Sequence, residues 1–84
     1  MFNQTQFVQA LRELGFKFDR STYQFDAMFL FKRCAKGVIV VSVYPRCFNA
    51  SFCRSKREGT GVADTLQATE MEALEAKMKI WEES

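Results

Sequence analysis

Histidine is missing from this 84-residue chain, which removes Ser-His, Cys-His and every other imidazole-based acid–base pair. It also removes the ligand that would complete a tetrahedral zinc set, because Cys34, Cys47 and Cys53 lack the paired short spacing of such sites. Three is an odd number, so no closed disulfide framework is expected and the thiols read as reduced. A cysteine nucleophile would need activation by a lysine or a helix N-terminus, and none of the three falls at an expected helix start. Gly59-Thr-Gly61 is a lone G-x-G without the Lys-Ser/Thr of a phosphate loop, and reads as a turn. No apolar run approaches the ~20 residues of a membrane helix. The start of the chain has neither the basic nor the apolar region of a secretory signal. The expectation is a cytoplasmic protein that is not an enzyme and has no metal, cofactor or membrane partner.

Positive and negative charge are sorted along the chain. Residues 1–57 carry ten basic side chains against three acidic ones, or +7, while residues 58–84 carry two against seven, or −5. The net +2 hides this polarity, which points to an acidic macromolecular partner, protein or nucleic acid, for the basic part. A chain with two such parts can also pair with itself, so a salt-sensitive homodimer is a further expectation.

Aromatic residues are abundant: nine Phe, two Tyr and one Trp. Each buries roughly 150–250 Å², which matters in a chain of this length, where about 60% of the unfolded surface is buried. Residues 4–14 carry Phe7, Val8, Leu11 and Leu14 at helical spacing. Asn3 or Thr5 is placed to cap the helix, Phe2 to staple its first turn, and Gly15 to end it before Phe16. Phe16 and Phe18 then alternate with Lys17 and Asp19, a short extended piece that is a strand or the approach to one. Phe25, Ala27, Phe29 and Phe31 alternate with Asp26, Met28, Leu30 and Lys32 as the two faces of a first full strand.

Cys34–Gly37 reads as a hairpin turn in which Gly37 is free to take positive φ. Val38–Tyr44 is a β-branched second strand, Pro45–Asn49 a second turn, and Ala50–Arg57 a third strand. The last segment, about Thr65–Glu82, reads as an amphipathic helix with an apolar stripe of Leu66, Met71, Leu74, Met78 and Trp81. Thr69-Glu-Met-Glu72 within it fits a capping box, and early glutamates with late lysines suit the helix dipole. The order predicts a single α+β domain, αβββα, with a three-stranded antiparallel sheet. The second strand is apolar on both faces, so one face is left for a partner, a second copy or a folded-over segment to cover.

Two binding readings follow. Lys32, Arg33, Lys36, Arg46, Arg54, Lys56 and Arg57 are candidate electrostatic contacts, with Tyr44 and Phe48 as aromatic anchors if they face outward. Cations and interleaved aromatics suit nucleic acid. The predicted element order is shared with double-stranded-RNA-binding domains, but their Lys-Lys-x-Ala-Lys signature is missing and the last helix is acidic. In character the chain resembles the small, motif-poor accessory proteins of phages and mobile elements. That resemblance of type implies an inhibitor of a host enzyme or defence complex acting by protein–protein contact.

Overall fold

The computed structural model describes residues 2–21, 26–54 and 61–83. The chain runs α1 (Gln4–Glu13), β1 (Lys17–Ser21), β2 (Met28–Cys34), β3 (Gly37–Val43), β4 (Phe48–Cys53), β5 (Val62–Ala68), α2 (Met71–Glu83). The five strands form one antiparallel sheet in sequence order, so the expected α+β class with two helices holds and the expected strand count of three does not.

Helix α1 is specified locally. Asn3 Oδ1 accepts the Gln6 N–H at 3.0 Å, and the Phe2 ring sits 5.2 Å from Phe7, the N′-to-N4 staple. At the other end Gly15 takes φ +98°. The N–H groups of Gly15 and Phe16 donate to the carbonyls of Arg12 and Leu11, which is the Schellman closure. Gln4 Nε2 then donates to the carbonyl oxygens of Asp26 and Val43, fixing the start of α1 to the sheet.

The short extended piece after Phe16 is a full edge strand. Lys17 pairs with Phe31 and Phe18 with Leu30, and the register shifts between Phe18 and Arg20. The second correction lies in β5. The stripe drawn from Leu66 to Met71 needed a five-residue step that no helical face makes. Asp64, Leu66 and Ala68 instead alternate with exposed Ala63, Thr65 and Gln67, a period of two that pairs with β4. Helix α2 therefore starts at Met71, one residue later than the Thr69 capping box requires. Its last turn holds acidic side chains and no basic one, so the expected dipole arrangement fails at the C-terminal end.

The turns also differ in detail. Gly37 pairs with Cys34 across the first hairpin without positive φ. It is needed because a Cβ there would collide with the carbonyl oxygen of Cys53. The second turn is shorter than expected: the Tyr44 N–H donates to the Cys47 carbonyl, and β4 already begins at Phe48.

Both helices cover the same side of the sheet. Phe7 and Leu11 of α1 join Leu74, Met78 and Trp81 of α2 over Leu30, Ile39, Val41, Val43, Phe48, Ala50 and Phe52. Phe7 stacks on Phe48 at 4.5 Å and Trp81 on Phe52 at 5.9 Å. Among the described residues, no helix is long and apolar enough to cross a membrane.

Candidate functional site

Strand register divides the sheet into two faces, because neighbouring residues on a strand point to opposite sides. Leu30, Val41, Ala50 and Leu66 form one cross-strand row, directed toward the helices. One residue along, Lys17, Phe31, Val40, Ser51 and Thr65 form a row on the opposite, open face. A second open row contains Phe29, Ser42, Asn49 and Gln67, and a third Arg33, Val38 and Cys53. Among the described residues, no carboxylate stands in these rows.

The open face is thus aromatic and cationic on β1–β2, mostly aliphatic on β3 and polar on β4–β5. Phe31 and Val40 are half-buried, whereas Lys17 and Arg33 are exposed. The Arg33 guanidinium lies 5.6 Å from the centroid of the Phe31 ring, within cation–π range and worth about 0.5–1 kcal/mol at an exposed position. Val38 and Cys53 are buried at the end of this face.

The candidate residues drawn from the sequence do not share one surface. Arg33 alone joins the open rows. Lys36 in the first hairpin turn and Arg54 just beyond β4 are exposed at the same end of the sheet. Tyr44 and Arg46 occupy the β3–β4 turn at the other end, about 20 Å away along a seven-residue strand. Lys32 points to the helix side, where its Nζ lies 3.4 Å from a Glu82 carboxylate oxygen. Lys56 and Arg57 lie outside the described residues.

Phe48 requires a correction. Paired with Val43, it lies on the helix face, 0% exposed, in one cluster of three rings with Phe2 and Phe7, so it anchors the core and no partner. The residues missed were Lys17, Phe31 and Val40. Their signal was present: a two-residue turn between Cys34 and Gly37 sets Leu30 opposite Val41 and Phe31 opposite Val40. The Ile39, Val41, Val43 side of β3 is more apolar than the Val38, Val40, Ser42 side, which sends Leu30 inward and Phe31 outward.

Asp64 belongs to a structural tie between β5 and α2. Asp64 Oδ2 accepts from Lys77 Nζ at 2.7 Å and from Trp81 Nε1 at 3.1 Å, and Oδ1 from the Thr65 N–H at 2.9 Å. The lysine bond first, then the indole bond, hold this carboxyl below its ordinary value of 3.8. The three cysteines are free thiols. Cys34 Sγ donates to the Gly37 carbonyl, Cys47 Sγ accepts from Gln67 Nε2 at 3.8 Å, and Cys53 is buried. Among the described residues, no group of three or more His, Cys, Asp or Glu side chains is placed to hold a metal ion. Compared with protein families, curated proteins and solved structures, the chain matches none.

Proposed function

We propose that this protein acts by macromolecular contact and not by catalysis, that the open sheet face is its contact surface, and that single-stranded nucleic acid is the partner that face fits best. The observation that carries the reading is the Phe31–Arg33 pair in line with Lys17, on the side of the sheet away from both helices. An antiparallel sheet presents such a ring as a platform, and a base stacked on it gains about 1–3 kcal/mol. Lys17 and Arg33 neutralise phosphates beside that platform, and Lys36 and Arg54 extend the cationic track at one end. The exposed carboxylates of Glu72, Glu75 and Glu83 belong to α2, on the opposite side, so they do not repel a strand lying on the open face.

A protein partner with an acidic surface is the second reading, and it retains the inhibitor role implied by the chain's character. The apolar strip of Phe31 and Val40 favours it, since a protein can bury that strip as readily as a base can. Titration of labelled single- and double-stranded DNA and RNA, at low and moderate salt, separates the two. Single-strand binding that weakens with salt, and weakens a further roughly tenfold in Phe31→Ala, supports the nucleic-acid reading. No binding of any oligonucleotide at low salt contradicts it and leaves the face to a protein partner or a second copy of the chain.

A further inference from the structure

We infer that the outer edge of β5 is a self-association surface, along which a second copy of the chain pairs strand to strand about a two-fold axis and joins two sheets into one. The inference does not depend on what binds the open face.

The two edges of the sheet are built differently. At one edge, β1 is five residues long, three of them Lys17, Asp19 and Arg20, and its register with β2 shifts between Phe18 and Arg20. Charges and a bulge are the devices that keep an edge strand from pairing with another chain. At the other edge, the seven residues of β5 include no lysine, arginine or proline, and their register with β4 is unbroken from Asp64 to Ala68. Among the described residues β5 pairs with β4 alone. Within the strand the Thr65 N–H donates to Asp64 Oδ1, and the other outward N–H and C=O groups, along about 20 Å, form a template for a further strand.

Charge and apolar surface at this edge suit a second copy. Asp64, the one charged residue of β5, is held by Lys77 and Trp81, so two such strands meet without an uncompensated carboxylate. Lys77 also marks the flank of α2 that stands over β5, while Glu82 reaches toward Lys32 of β2 on the opposite flank. Ala73 and Ile80 lie on the Lys77 flank, four residues before it and three after. Helix α2 turns back over β5 after Thr69 and Glu70, so Ile80 and Val62 lie toward one end of the edge, and Ala73 and Ala68 toward the other. Val62 is 51% exposed and Ile80 57%.

A two-fold axis perpendicular to the sheet makes the two β5 strands antiparallel. It sets the Val62 and Ile80 end of each copy against the Ala68 and Ala73 end of the other, large side chains opposite small ones. The same axis keeps both open faces on one side and all four helices on the other, so pairing at β5 extends the open face and does not cover it. Backbone bonds and aliphatic contact hold this dimer, and salt should not dissolve it. That separates it from a head-to-tail pairing of basic with acidic parts, which salt screens.

The test is sedimentation velocity of the whole protein over a concentration series, at about 0.1 M and about 1 M salt. The expected result is a concentration-dependent dimer at both. Val62→Lys and Ile80→Lys, at exposed positions where the fold tolerates a long polar chain, should each weaken dimerisation roughly tenfold or more by placing a cation at the seam. Phe31→Ala, on the open face, should leave it unchanged, and melting curves check that all three variants are folded. A monomer at every concentration, a dimer that dissociates in the higher salt, or a dimer weakened by Phe31→Ala and by neither lysine variant would each overturn the assignment.

Discussion

Asp64 of β5 accepts a hydrogen bond from the indole N–H of Trp81 of α2 at 3.1 Å, while Phe52, paired with Asp64 across the sheet, stacks on the Trp81 ring. One indole thus joins the last helix to the last two strands through both its edge and its face. Lys77, one helical turn earlier, bonds to the same carboxylate oxygen. These bonds favour the ionised form of Asp64 and lower its pKa in the folded protein. They therefore contribute stability that is present above the unfolded value of 3.8 and is lost as pH falls through the lower folded value. Melting temperature should drop more steeply below about pH 4 in the wild type than in Asp64→Asn. Parallel pH profiles for the two proteins would contradict the tie.

Phe48 belongs to the core, in a cluster of three rings with Phe2 and Phe7, and stacks on Phe7. Phe48→Ala should cost about 3–5 kcal/mol of unfolding free energy, measured by urea titration. Phe31→Ala, on the open face, should cost far less. Equal losses for the two variants would mean that the faces of β2 are misassigned.

Lys32 and Arg33 are adjacent in sequence but on opposite sides of the sheet. Lys32→Ala removes an ion pair to Glu82 that is partly exposed, a change within about 0–1 kcal/mol, and should leave oligonucleotide affinity unchanged. Arg33→Ala should weaken affinity and reduce its salt dependence. A binding defect in Lys32→Ala as large as that in Arg33→Ala would place the interface elsewhere.

Two glycines are required for different reasons. Gly15→Ala places a side chain at φ +98° and should cost about 1–2 kcal/mol. Gly37→Ala meets no such dihedral penalty but drives a methyl into the Cys53 carbonyl, forcing β3 and β4 apart at a cost of about 1–3 kcal/mol. Urea titrations of both variants check the pair. Wild-type stability in Gly37→Ala would contradict the close approach of β3 and β4.

Elements specified by their own sequence were legible. Asn3, Phe2, Gly15 and Phe16 delimit α1 through contacts within a few residues, and Ala35-Lys36 fixes the β2–β3 hairpin. Strand β5 was not legible because Ala63, Leu66, Gln67 and Ala68 favour helix locally, and pairing with β4 overrides that preference. The open face was obscured by chemistry that looks alike on both sides of β2: Met28 and Leu30 alternate with Phe29 and Phe31, so β2 by itself does not say which pair meets the helices, and the difference enters only through its register with β3. Which of the candidate cations share a face was not legible, because it depends on strand register: the sheet sends Lys32 to its helix side, Arg46 to its far turn and Arg33 to its open face.

The most direct test of the central claim compares two neighbouring residues, Val40 on the open face and Val41 in the core. A carbon–proton correlation spectrum of the methyl groups, recorded while a short single-stranded oligonucleotide is added, reports on both at once. The Val40 methyl signals should shift with oligonucleotide concentration while those of Val41 stay in place. Binding without movement of Val40, or shifts confined to the methyls of α2, would contradict it.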